Sequence, residues 1–315
     1  MATGAMAQDV TIRLAHLNPE DPFASHSGAM GAVFKSLVES NSNGRIEVQL
    51  FPNGQLGKDN EVIEQVRSGL VESTISSSGG MAQHYPLVGV FDIPFAFPNI
   101  GVASKVIDTD SSFGEAFVAD LEEKTGLEVL GLLDSGGFFA FTDSVRPIAS
   151  VEDMDGLKIR TMQNPIHVEA FRAYGANPTP MSYSELYGAL QSGVVDGAEG
   201  ASTGYDGMKF YEVAPSFALV GWLNMTAPVT MKKDAFDALP EDIQTALMEA
   251  GAEAASWQRQ YVVDQEQPLL DSFAEMGVTI TEPDTTPFIE ASQPLYESQL
   301  TTDGQKALFD ALTSE

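Results

Sequence analysis

Gly156-Leu157-Lys158-Ile159-Arg160-Thr161 is followed by Gly175-Ala176-Asn177-Pro178-Thr179-Pro180-Met181-Ser182-Tyr183-Ser184-Glu185-Leu186-Tyr187 and by Ala189-Leu190-Gln191-Ser192-Gly193-Val194-Val195-Asp196-Gly197-Ala198-Glu199. Apolar residues alternate through 156–161, the period-two pattern of a strand. Pro165 suits the first turn of a helix. Ser182 and Glu185 form a capping box for another helix, Gly193 ends it, and Val194 with Val195 is expected to open the next strand. The segment therefore reads as an α/β unit. It also places one cation, Arg160, at a strand end in a chain poor in cations. A guanidinium there can hold a ligand's anionic group by two parallel hydrogen bonds.

The pattern extends outward in both directions. Val10, Ile12 and Leu14 alternate, and Met30, Val33, Phe34, Leu37 and Val38 follow helical spacing up to Asn43-Gly44. Ile46, Val48 and Leu50 alternate before the breaker Pro52-Asn53-Gly54. Val62, Ile63 and Val66 form a helix face stopped by Gly69. This order predicts an α/β lobe with a mostly parallel sheet. Small polar residues at 73–80 leave room at the sheet's carboxyl edge, for a ligand or as a plain loop. Phe91-Asp92-Ile93-Pro94-Phe95-Ala96-Phe97-Pro98 reads as a rigid crossover. Leu127, Val129 and Leu130 begin a strand, with Asp134-Ser135-Gly136-Gly137 as the first passage into a second lobe. Pro240, Glu241 and Asp242 open a long helix whose apolar face runs through Ile243, Leu247, Ala250, Ala254, Trp257 and Tyr261. Pro268 is expected to end or kink it, and a helix of this length can support both lobes.

The 315 residues suit two lobes, and 43% hydrophobic content supports full cores. The net charge of -29, from 45 acidic and 16 basic residues, argues against nucleic acid and anionic membranes as partners. With no Cys, disulfides and thiolate chemistry are excluded. His16, His26, His84 and His167 lack the spacing of a zinc helix site, so no metal is expected. Asp108-Thr109-Asp110 starts like a calcium loop, but Phe113 and Ala119 stand where a glycine and an acid are needed. Phosphate-binding, dinucleotide-binding and hydrolase-elbow motifs are missing, and no cofactor or enzymatic activity is expected. No run of 18 apolar residues exists. Ala5-Met6-Ala7 resembles the end of an export signal, so residues 1–8 read as a signal remnant or a vector scar.

Gly156 to Arg160 and Gly175 to Glu199 resemble the solute-binding proteins of TRAP transporters, the DctP type. Arg45-Ile46-Glu47-Val48, Phe51-Pro52-Asn53-Gly54-Gln55-Leu56-Gly57, Glu61 to Val66, Phe91 to Phe95 and Lys209-Phe210-Tyr211-Glu212-Val213-Ala214 extend the likeness over roughly residues 9–310. The resemblance implies a two-lobed periplasmic binding protein fold, each lobe a mixed sheet flanked by helices, with a long helix spanning both. Expected boundaries are 9–133 plus about 225–262 for lobe one, and 134–224 plus about 263–315 for lobe two. It further implies a monomeric, exported receptor that closes over a small organic acid and hands it to a membrane permease.

Matched position by position, Arg160 corresponds to the family's carboxylate-binding arginine, with Gln163 a polar contact and Tyr183 an aromatic pocket wall. Asn53, Ser77, Trp222 and Asn224 stand at further contact positions. Two departures matter: Phe139, beside Phe138, replaces a second arginine, and Gly200 replaces the asparagine after Glu199. The pocket is thus expected to be more apolar on one side, which suits a hydrocarbon portion or a cationic centre over the ring faces. Glu199 could then offset a positive group, which leaves a zwitterionic osmolyte open beside a hydroxy or sugar acid, another carboxylate or a sulfonate. A hydrolase using a carboxylate pair in the cleft and a ligand-sensing module for a signalling partner are the remaining alternatives.

Overall fold

The computed structural model describes residues 10–314. A first sheet has the order β2-β1-β3-β10-β4, from Ile46–Phe51 (β2), Val10–Ala15 (β1), Ser73–Ile75 (β3), Asn224–Lys232 (β10) and Leu127–Phe138 (β4). The second has the order β11-β9-β5-β8-β6-β7. Its strands are Thr279–Thr281 (β11), Ser216–Ala218 (β9), Ala140–Asp143 (β5), Gly197–Gly200 (β8), Lys158–Thr161 (β6) and Asn177–Pro180 (β7). Both sheets are mixed. β1 runs parallel to β2 and β3, while β10 is antiparallel to β3 and β4. β6 runs parallel to β7 and β8, while β5 is antiparallel to β8 and β9.

Period-two burial explains the sheets. Ile12 and Leu14, and Ile46 and Val48, turn the same way into one apolar layer with Met30, Phe34 and Val38 of helix His26–Asn41. In the second lobe Phe141, Phe171, Tyr174, Trp222 and Phe288 pack as an aromatic cluster, their paired ring centroids 5.0–6.2 Å apart. Truncating one such ring typically costs about 3–5 kcal/mol.

Several boundaries differ from the sequence reading. β4 does not leave the first sheet at Asp134: it continues to Phe138, which pairs with Asn224. β8 begins at Gly197, because the amides of Val194 and Val195 turn back to Ala189 O and cap the preceding helix. The long helix runs through Pro268, from Glu241 to Glu275. Proline removes one helical hydrogen bond, but beyond it Leu269, Leu270 and Phe273 pack into the second-lobe core. The final helix, Asp303–Ser314, joins the first lobe rather than the second: Leu312 is wholly buried there with Phe117 and Leu121.

Candidate ligand-binding cleft

A cavity of about 110 Å³ lies between the two lobes. Asn18, His26, Asp59 and Ser77 line it from the first lobe, and Arg160, Met162, Gln163, Tyr183 and Glu199 from the second. β6 explains Arg160. Ile159 turns into the aromatic core, so the next side chain emerges on the opposite face. β7 and β8 flank it, with Arg160 in register with Thr179 and Ala198. Arg160 is 2% exposed. Its Nε and Nη2 donate to the Met181 carbonyl at 3.1 and 2.9 Å. Its Cζ lies 5.7 Å from the centre of the Tyr183 ring. Nη1 is buried and finds no hydrogen-bond partner among the described residues. No carboxylate there forms an ion pair with this guanidinium. Burial lowers its proton affinity, and the nearby charges of Glu199, Tyr183 and Asp59 work the other way.

Gln163, Tyr183, Phe139, Ser77, Glu199 and Gly200 also reach the cavity wall. Ser77 caps the short helix Ser78–Met81 by accepting from Gly80 N and donates to Asp59 at 2.7 Å. Glu199 is engaged by His167, whose Nδ1 lies 2.8 and 2.9 Å from its two oxygens. It is therefore not a free counter-charge for a cationic ligand.

Four expected contacts lie elsewhere. Trp222 is wholly buried in the aromatic cluster, and Asn224 spends its amide on Asp134 at 2.8 Å. Asn53 is an exposed turn residue with φ 56°, a left-handed conformation that asparagine tolerates well. Phe138 faces a separate cavity with Phe95, Val220 and Ile289.

Sequence reasoning missed Asn18, His26, Asp59 and Asn60 on the first-lobe wall. His26 Nδ1, Asn60 Oδ1 and Ser135 Oγ are buried without a protein partner among the described residues, and all three residues line the cavity. Lys58-Asp59-Asn60 directly follows the quoted Gly54-Gln55-Leu56-Gly57, and that adjacency was the available signal.

A buried guanidinium without an ion-pair partner among the described residues thus lines an interlobe gap together with hydroxyl, amide and imidazole groups, an arrangement that can hold a small polar molecule. Comparison with known proteins agrees. Residues 16–303 match the model of the bacterial extracellular solute-binding protein family 7, DctP, and the chain belongs to that family. It is 33% identical over 259 residues to the 2,3-diketo-L-gulonate-binding periplasmic protein YiaO of Escherichia coli, covering 82% of this chain and 78% of that one. It is 30% identical over 298 residues to the ectoine/5-hydroxyectoine-binding periplasmic protein UehA of Ruegeria pomeroyi, covering 93% and 86%. The crystal structure of the sugar acid binding protein DctPAm of Advenella mimigardefordensis, in complex with galactonate, superposes with a TM-score of 0.90 at 31% identity, covering 96% of this chain and 98% of that one. The two-lobed fold of TRAP solute-binding proteins is thus the fold of this chain. Among the described residues, no helix is long and apolar enough to cross a membrane.

Proposed function

We propose that this protein is the exported, monomeric receptor of a TRAP-type transporter that captures a hydroxylated organic acid and delivers it to membrane permease subunits. Arg160 Nη1 carries the reading: it is a buried donor on a permanently charged group, it has no protein partner among the described residues, and it belongs to a cavity-lining side chain. Leaving such a donor unpaired is costly, so a ligand carboxylate gains by meeting it. The unpaired atoms of His26, Asn60 and Ser135 favour a ligand that carries hydroxyl groups as well. A sugar acid fits that combination.

A zwitterionic osmolyte is the second reading. With Glu199 held by His167, Asp59 is the carboxylate left to face its cation.

Titration calorimetry with galactonate, 2,3-diketogulonate and ectoine separates the two. For the ligand that binds, Arg160→Ala is expected to weaken affinity about tenfold to a hundredfold, the loss of one charge-assisted contact of about 1.5–3 kcal/mol. Arg160→Lys should recover only part, since an ammonium lacks the planar fork. Unchanged affinity in Arg160→Ala would refute the assignment.

A further inference from the structure

Behind Arg160 lies an ionic cluster that the capture of an anion does not itself require. His167 is wholly buried on helix Pro165–Ala173 of the second lobe. Its Nδ1 meets both Glu199 oxygens at 2.8 and 2.9 Å, and its Nε2 meets Asp92 Oδ1 at 3.2 Å. Asp92, also wholly buried, belongs to the 3-10 helix Pro86–Asp92 of the first lobe. It accepts from Ser78 Oγ and from Asn164 Nδ2, both at 2.7 Å. Glu199 accepts from the Met162 amide at 3.0 Å. The indole of Trp222 closes the remaining side, ring centroids 5.0 Å apart at 82°.

An ionised carboxylate only accepts hydrogen bonds, so a ring with a carboxylate at each nitrogen must donate from both. With both carboxylates ionised, that ring is the imidazolium. The two carboxylates also favour the charged ring, against the opposing effect of burial. With the ring charged, the cluster of His167, Glu199 and Asp92 carries a single net negative charge. With the ring neutral it would carry two, beside an arginine whose Nη1 has no protein partner among the described residues.

We propose that His167 is a positioning residue: seated between carboxylates from opposite lobes, it holds Glu199 off Arg160 and so keeps the guanidinium available to a ligand anion. The proposal rests on Arg160 as the anion anchor. Without His167, Glu199 is left with the attraction of the nearby Arg160, and the protein's own carboxylate would fill the place meant for the ligand's. The same ring also joins the two lobes, through Asp92 on one side and Glu199 on the other.

Ring-nitrogen NMR of the ligand-free, isotope-labelled protein tests this directly. The chain has four histidines. Burial lowers the proton affinity of His16, His26 and His84, so a ring doubly protonated at about pH 8, above the ordinary histidine range, identifies itself. The expected result is one such ring, absent from His167→Gln. A singly protonated His167 at that pH overturns the proposal. Crystal structures of the variants supply the second readout. In His167→Gln, Arg160 Nη1 should pair with Glu199, and adding Glu199→Gln should release it. Nη1 still unpaired in the single variant overturns the proposal too. Should His167→Gln fail to fold, the NMR result on the unaltered protein decides alone. Both readouts are made without ligand, so their failure leaves the receptor reading standing, whereas an unaffected Arg160→Ala counts against the anchor itself.

Discussion

Asp59 shares the cavity with Arg160, and its carboxylate accepts from Ser77 Oγ at 2.7 Å. Burial pushes its carboxyl up to about 6, against the opposing pull of Ser77 and Arg160. A raised carboxyl means that the folded state binds more protons than the unfolded chain between about pH 4 and 6, so stability declines as pH rises through that window. Asp59→Asn removes the cost. The variant should match the parent near pH 4 and exceed it at pH 7 by at most about 3 kcal/mol, measured by urea unfolding at the two pH values. Equal stability at pH 7 would contradict the buried-acid account. Asp59 was not legible in the sequence, since 45 acidic residues hide any single one. Arg160 was legible for the opposite reason, cations being scarce. His167 escaped because the histidines were weighed only as metal ligands, and its two carboxylates come from segments 32 and 75 residues away.

At the level of elements, β4 and β10 pass from the first sheet toward the second, and a small polar knot fixes the passage. Asp134 Oδ1 accepts from the amides of Gly136 and Gly137, and its Oδ2 from Asn224. Gln258 of the long helix holds both the amide and the carbonyl of Asp134, at 3.0 and 2.8 Å. Gly136 has φ 107°, and a Cβ there would meet Thr203 Oγ1 at 2.4 Å. Gly136→Ala should therefore cost about 1–3 kcal/mol in chemical denaturation, through backbone strain and the displaced threonine. A loss below about 0.5 kcal/mol, the scale of an ordinary surface change, would show that the passage is not constrained there. Elements with strong period and caps, such as helix Asp59–Ser68 ended by left-handed Gly69, were readable in the sequence. The run of β4 beyond Asp134 was not, because Ser135-Gly136-Gly137 carries turn composition and the bonds that keep it in the sheet come from Asn224 and Gln258, far along the chain.

Across the whole molecule, an exposed ion pair links the two lobes beside the cavity. Lys58 of the first lobe pairs with Glu185 of the second at 2.8 Å, with the two side chains 47% and 51% exposed. Beside them Gly79 lies against Met162, where an added Cβ would come within 3.0 Å of the sulfur. A pair this exposed is screened by salt and adds little to overall stability, but it bears on the balance between open and closed lobes, where a small bias shifts populations. The absence of Cys allows that balance to be read without background labelling. Leu70 and Val145 are 66% and 59% exposed and belong to opposite lobes, so Leu70→Cys with Val145→Cys accepts a pair of spin labels. In the ligand-free protein at low ionic strength the shorter interlobe distance should dominate. At about 1 M salt, where the screening length falls to about 3 Å, the longer distance should gain population. Lys58→Met should show the longer distance at low salt and lose the salt response. Identical distance distributions for the parent and Lys58→Met would mean that apolar contact and the His167–Asp92 link, not this ion pair, hold the mouth shut.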